Sequence, residues 1–377
     1  MSSSEYKLLM QYERSKRSGG TTVSEFTSQC DEISSRTQLE LIALDIEIRL
    51  RQGNRVRAND YLFEYPQFQK QIEHDLREVS RNFVATFCPM QDRFDMLPCT
   101  FAHYQVQKEI GRGGMGVVYE ATDVNSGQIV ALKIPFIKDV CLQGESEILK
   151  KVRHDGVNTV LSVGSYQQTP YLATEFLGGV TLKEMLKIYG TLEPCEAVRI
   201  VAELSRSLHW IHQQNVIHFD IKTSNIIMHQ NQNPVLTDFG IAVLVDENKQ
   251  LLGDSLDYSR GSPCYMAPEV FDRSFGSPGF QSDVYSLGVV LYELLTGVTP
   301  FAGAIETLGK QVCHYPPARP SDFNHVNIDT ELERICLDAL QKNESKRTAS
   351  MKVFKEQLSA WLQQNEWSIT SPRLRVA

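Results

Sequence analysis

The stretch His218-Phe219-Asp220-Ile221-Lys222-Thr223-Ser224-Asn225, followed soon by Asp238-Phe239-Gly240, constrains this chain more than any other. Asp220 is a carboxylate able to take a proton, and Lys222 brings a positive charge two residues on. Asn225 and Asp238 are oxygen donors of the kind a hard, octahedral Mg²⁺ prefers. The apolar pairs Val216-Ile217, Ile226-Ile227 and Val235-Leu236 flank these polar residues. Their pattern predicts short strands that grip a loop and hold its side chains on rigid neighbours. A base, a cation and two metal ligands are the parts that phosphoryl transfer requires.

A second signal lies upstream. Gly111-Arg112-Gly113-Gly114-Met115-Gly116-Val117-Val118-Tyr119 spaces its glycines G-x-G-x-x-G. Dinucleotide-binding turns share that spacing, but there a helix follows. Here Val117-Val118-Tyr119 reads as a strand, so the glycines turn a hairpin. Backbone without side chains can close over the phosphates of a nucleotide. Val130-Ala131-Leu132-Lys133 reads as the next strand. A lone lysine in an apolar strand, such as Lys133, is often only edge-exposed.

These stretches together resemble the catalytic loop, metal-binding triplet and glycine-rich loop of the protein kinases, in the same order along the chain. The resemblance implies an α+β, bilobal protein-kinase fold: a small antiparallel sheet lobe with one helix, a larger helical lobe, and ATP between them. It implies that Gly111, Gly113, Gly114 and Gly116 cover the phosphates and that Lys133 holds them. The carboxylate partner of Lys133 comes from the following helix. Glu145 and Glu147 are both candidates; the family pattern favours Glu145, on a helix shortened at its start. Tyr171 to Leu177 resembles the strand and hinge that carry adenine. Backbone groups of Glu175 and Leu177 would bond the base, Thr174 takes the gatekeeper position, and Val118, Ala131 and Ile227 would face the ring. Gly261-Ser262-Pro263-Cys264-Tyr265-Met266-Ala267-Pro268-Glu269 resembles the substrate-side loop. Asp283 resembles the buried aspartate that anchors the catalytic loop, and Arg347 the structural partner of Glu269. Pro194 and the run Ala197 to His212 predict a long helix beneath that loop.

The implied activity is transfer of the γ-phosphoryl group of MgATP, with Mn²⁺ as an alternative metal, to a Ser or Thr hydroxyl of a protein substrate. Asp220 would take the proton, Lys222 would offset charge on the moving group, and Asn225 and Asp238 would hold the metal. Lys222 and Gly261-Ser262-Pro263 favour Ser or Thr over Tyr as acceptor. One residue departs from the motif: Phe219 stands where the family usually has Arg. The competing reading, from another class, is a pseudokinase scaffold that binds nucleotide or partners without efficient catalysis. Metal-dependent transfer to any acceptor separates the two. A small-molecule kinase is disfavoured by the full loop through Glu269. Phe219 cannot pair with a phosphate on Ser255, Tyr258, Ser259 or Ser262. It favours burial against Leu251, Leu252 or Leu256 instead.

The remainder is read as a helical extension and linker over 1–98, a kinase domain over 99–363 and a loose tail over 364–377. Leu39, Ile42, Ala43, Ile46 and Leu50 fall at helical spacing, stopped by Gly53-Asn54. Phe68, Ile72, Leu76, Val79 and Phe83 mark a second helix. Glu13, Arg17 and Gly19 are echoed by Glu47, Arg51 and Gly53, a weak sign of a repeat. The region resembles helical segments that precede the kinase domain in some bacterial, especially planctomycete, serine/threonine kinases. It either packs on the main domain or binds a regulator. Cys88 to Cys99, with Pro89 and Pro98, reads as a linker. A net charge of −8 argues against nucleic acid as the partner. The eight cysteines form no C-x-x-C pair, which predicts a reducing, cytoplasmic setting. The longest apolar run, Tyr285 to Val298, is interrupted by Glu293 and is too short to cross a bilayer.

Overall fold

The computed structural model describes residues 12, 22–28, 30, 34, 35, 37–39, 41, 42, 44, 45, 61, 64–68, 72, 97–113, 116–136, 142–229, 233–246, 261–303, 305–323 and 328–365. Gly114, the apolar positions Ala43, Ile46, Leu50, Leu76, Val79 and Phe83, and the loop residues Leu251, Leu252, Ser255, Leu256, Tyr258 and Ser259 lie outside them. So do most residues of the suggested repeat and the tail from 366 onward. The chain divides into two compact units: Met1–Leu142 with Leu161–Phe176, and Gln143–Val160 with Leu177–Ala377.

The first unit carries helix α1 (Val23–Thr27) and strands β1 (Cys99–Phe101), β2 (Tyr104–Gly113), β3 (Gly116–Asp123), β4 (Ile129–Pro135), β5 (Val160–Tyr166) and β6 (Thr169–Glu175). The strands form one six-stranded sheet in the order β1-β2-β3-β4-β6-β5. The expected glycine hairpin is present, with Gly113 opposite Gly116. Cys99, expected to end the linker, already pairs with Val106 in the sheet. Strand side chains alternate between faces, and one face is the core: Val117, Tyr119, Ala121, Val130, Leu132, Ile134, Tyr171 and Ala173.

A separate small core gathers Tyr12, Val23, Leu41, Ile42, Tyr61, Tyr65 and Ile72. The Tyr12 and Tyr61 hydroxyls donate to the two oxygens of buried Asp45, at 2.6 and 2.7 Å. These bonds satisfy a carboxylate that burial alone would penalise heavily. In this helical stretch Thr37, Leu41, Ile42 and Asp45 are buried and Leu39 is half-buried. In α1, Thr22 and Glu25 close a capping box; the polar composition around it had given no sign of a helix.

The second unit begins with α2 (Leu142–Lys151) and continues through β7 (Val180–Thr181), α3 (Leu182–Tyr189), α4 (Pro194–Gln213), β8 (Val216–Ile217), β9 (Ile226–Met228), β10 (Pro234–Leu236) and β11 (Val243–Leu244). The helices α5 (Pro268–Phe271), α6 (Phe280–Thr296), α7 (Ile305–His314), α8 (Thr330–Ala339) and α9 (Met351–Asn365) complete it. Pro194 occupies the first turn of α4, where its missing N–H has no intrahelical partner to lose. Helix α6 is buried almost all round, as a helix apolar on every side must be. It stops at Gly297, whose left-handed φ of 78° suits a residue without Cβ. Helix α9 runs two residues past the expected domain end at 363. The three apolar pairs around the catalytic turn are strands as predicted: β9 pairs with β10 and β7, and β8 with β11.

Candidate active site

In the first unit the sheet register collects the expected nucleotide residues. Val118 lies opposite Lys133 on β3 and β4, and Ala131 lies opposite Thr174 on β4 and β6. Paired residues share a face, and Ala131 and Lys133 are two apart, so all four point away from the buried core face. Glu175 ends β6 in the same unit, opposite Val130 on β4. Gly116 has a packing reason to be glycine: a Cβ there would lie 2.5 Å from the Ile134 carbonyl oxygen. Gly111 has no such crowding.

In the second unit the turn after β8 is a dense hydrogen-bond network. Asp220 Oδ2 accepts from Lys222 Nζ at 2.7 Å and from Asn225 Nδ2 at 3.0 Å. Its Oδ1 accepts from the Ser262 backbone N–H at 3.1 Å. Asn225 Nδ2 also donates to the Asp220 carbonyl, which fixes the amide. Thr237, next to Asp238, is tied to the same turn: its N–H and its hydroxyl both donate to the Asn225 carbonyl, at 2.9 and 3.0 Å. Asp238 takes a left-handed φ of 60°, a conformation that Asp tolerates better than most residues. Ile227 on β9 is half-buried and Leu177 is buried. On α2, Glu145 is buried and Glu147 exposed, which favours Glu145 of the two candidates.

The turn stands on Asp283, which is wholly buried in α6. Its carboxylate accepts the backbone N–H groups of His218 and Phe219, each at 2.9 Å, and faces His212 Nε2 at 2.8 Å. His218 is itself buried, its Nδ1 accepting from Asp220 N and its Nε2 facing the Thr237 carbonyl. That pattern is satisfied by one neutral tautomer. Burial drives the His218 pKa below its ordinary value, so the imidazole stays uncharged. Glu269 and Arg347 form the expected pair, two parallel contacts of 2.8 and 2.9 Å between fully buried side chains.

Three features here had no signal in the sequence reading. His212 joins the Asp283 cluster. Ser262 binds Asp220 through its backbone rather than its hydroxyl. Glu293, read only as an interruption of an apolar run, accepts the Tyr265 hydroxyl at 2.5 Å. Phe219, at a φ of 61°, packs with Ile217, Val243 and Val245, and with partly buried Ile241 and Phe280.

A sheet unit, a helical unit and this turn anchored on a central buried helix define the protein-kinase class of fold. The chain belongs to the protein kinase family: the profile described as "Protein kinase domain" matches residues 104–359. It is 30% identical over 249 residues to a probable serine/threonine-protein kinase PknB of Lactococcus lactis, covering 64% of this chain and 39% of that relative. It is 31% identical over 288 residues to serine/threonine-protein kinase pkn3 of Myxococcus xanthus, covering 72% and 52%. With serine/threonine-protein kinase PknD of Mycobacterium tuberculosis the identity is 30% over 270 residues, covering 69% and 40%. The chain thus spans about half or less of the length of these relatives. Among the described residues, no helix is long and apolar enough to cross a membrane.

Proposed function

We propose that this chain transfers the γ-phosphoryl group of MgATP to a Ser or Thr hydroxyl of a protein substrate. The observation that carries the reading is the Asp220 carboxylate with Lys222, Asn225 and the Ser262 N–H all bonded to it. Each carboxylate oxygen has room for two donors, and Oδ1 has one from the described residues. An acceptor hydroxyl could therefore donate to Oδ1 and give up its proton there. Lys222 stands 2.7 Å from the same carboxylate, where its charge would offset the negative charge moving onto the acceptor. Lys133 would hold the α- and β-phosphates, and Glu145 is the carboxylate that the family pattern assigns as its partner. Val118, Ala131, Thr174 and Glu175 in the sheet unit would serve the adenine, as Leu177 and Ile227 would in the helical unit.

The donor set fits a hard divalent cation. The Asn225 amide is fixed through Nδ2, and among the described residues its Oδ1 accepts no hydrogen bond; Asp238 adds a carboxylate. These two would hold Mg²⁺ or Mn²⁺, which neutralises phosphate charge when bound.

Phe219 packs with Ile217, Val243 and Val245, and its usual counterpart is not a catalytic group, so the scaffold reading gains nothing from it. Its apolar packing supports a loop that docks without phosphate, since no charge at this position awaits a compensating anion. The domain division at 98 and 363, a regulatory or packing role for the N-terminal core, and a cytoplasmic setting belong to the same reading. Free thiols at Cys30, Cys99, Cys313 and Cys336 agree with that setting. Mass spectrometry after incubation with MgATP and a protein acceptor tests it. Phosphate on Ser or Thr that disappears with Asp220→Asn is expected; no phosphate with the parent chain rejects the reading.

A further inference from the structure

Thr223 follows Lys222 and shares a 3-10 turn with Asn225. Its side chain is wholly buried, and its hydroxyl lies 3.1 Å from the Tyr265 hydroxyl. Tyr265 gives its proton to Glu293 Oε2, a charge-assisted bond stronger than a neutral one. The phenol oxygen is then an acceptor, and Thr223 is the donor that fills it. Burial raises the Glu293 pKa, and the Tyr265 hydroxyl, polarised by the Thr223 hydroxyl behind it, opposes that rise by donating to the charged form. Burial, with Glu293 beside it, pushes the Tyr265 phenol far up, so it remains a donor. The same loop is fixed at two other points: Ser286 Oγ donates to the Tyr265 carbonyl at 2.8 Å, and Ser262 N–H meets Asp220.

We propose that Thr223 is a positioning residue for the acceptor: its hydroxyl, through Tyr265 and Glu293, locks the loop Ser262–Tyr265 to the catalytic turn and so sets acceptor affinity rather than nucleotide affinity. The proposal rests on the kinase reading above. Thr223 is the one member of the triangle that belongs to the catalytic turn. Removing its hydroxyl leaves Tyr265 on Glu293 but cuts the loop's side-chain link to the residues beside Lys222. Among the described residues, the backbone bond from Ser262 to Asp220 then remains as a link between the loop and the turn.

The test compares parent, Thr223→Val, Thr223→Ser and Tyr265→Phe with dephosphorylated casein as acceptor. Thr223→Val is expected to raise KM for casein roughly fivefold, the worth of one net hydrogen bond, with KM for ATP unchanged. Thr223→Ser should restore the parent value, and Tyr265→Phe should repeat the Val effect. A parallel rise in KM for ATP, or a lower kcat with both KM values unchanged, would overturn the proposal, because either marks a general disturbance of the Asn225 turn.

A second readout needs no turnover. Loss of the Thr223 donor raises the folded pKa of Glu293 further. A carboxyl with a raised folded pKa loses stability as pH rises from its unfolded pKa to its folded one. The stability deficit of Thr223→Val against parent should therefore grow between the parent's folded Glu293 pKa, itself above the ordinary glutamate value, and the variant's higher one, and then level off. Lys183 on α3 and Cys264 beside Tyr265 also face this group; both are present in parent and variant, so their own titration cancels in the difference. In a Glu293→Gln background the deficit should be flat with pH. A flat deficit in the unaltered background overturns the proposal. A parent that phosphorylates no acceptor defeats the kinase reading instead, while the stability readout still decides whether Thr223 holds Glu293 charged.

Discussion

Asp220 and Asp283 are both low-exposure carboxylates that accept several hydrogen bonds, yet they belong to regions built on opposite plans. Around Asp220 the donors are two side chains, Lys222 and Asn225, plus one loop N–H. Around Asp283 they are two backbone N–H groups and a histidine, and no part of the carboxylate reaches solvent. The Glu269–Arg347 pair follows the second plan, with both side chains fully buried. A turn whose donors can be exchanged for a substrate supports chemistry. A buried carboxylate whose donors are backbone supports the position of that turn. Charges in the first region should therefore govern rate, and charges in the second should govern stability.

The largest effect expected from that division is on rate. Asp220→Asn should slow transfer by roughly 10²- to 10⁴-fold, the usual weight of a positioned general base, while its thermal midpoint stays near the parent's. A large fall in midpoint together with the rate would erase the distinction. Arg347→Met should do the reverse. It leaves Glu269 buried and unpaired, which costs about 3–5 kcal/mol, read as a lower urea midpoint. Replacing both partners with apolar residues should recover much of that loss, as pairs of this type commonly do.

Phe219 sharpens the comparison, because it lies in the catalytic turn but packs like a scaffold residue. Phe219→Ala should destabilise by about 3 kcal/mol, the low end for a buried phenylalanine. Phosphatase-treated and autophosphorylated parent enzyme should turn over at rates within roughly twofold, since no arginine here waits for a phosphate. A large activation traced to Ser262, or to Ser255, Tyr258 or Ser259, would break that expectation.

The smallest effect is the pH dependence of stability through His218. Its folded pKa is depressed by burial, so the unfolded chain takes up a proton that the folded chain refuses. Stability should then fall as pH drops below about 6.5, by at most about 1.4 kcal/mol per pH unit. Relative to the parent, His218→Asn should flatten this acid loss, measured by urea unfolding between pH 7 and pH 5. Curves of equal slope would show that His218 is not buried neutral.

Much of the candidate site could be read in advance because its residues cluster in sequence. Asp220, Lys222 and Asn225 lie within one turn, and the strands that grip it announce themselves as short apolar pairs. The sheet face bearing Val118, Ala131, Lys133 and Thr174 follows from two-residue alternation. The Tyr265–Glu293–Thr223 triangle could not be read this way. Its members come from three elements, and no periodicity links them. Within α6 a glutamate is only a break in an apolar run until the loop that meets it is known. Asp45 was opaque for a similar reason. A carboxylate in a helical stretch reads as solvent-facing, and only the arrival of Tyr12 and Tyr61 makes its burial tolerable.

The Glu269–Arg347 contact also has a consequence for the order of events on the ribosome. The two residues are separated by 78 positions. At a synthesis rate of roughly 5–20 residues per second, Glu269 is made some 4 to 16 s before its partner exists. The loop bearing Tyr265 and Glu269 therefore has no guanidinium to close on while α6 and α7 are being made. A nascent chain halted between Glu269 and Arg347 would hold every candidate catalytic residue and still lack the charge that lets Glu269 be buried.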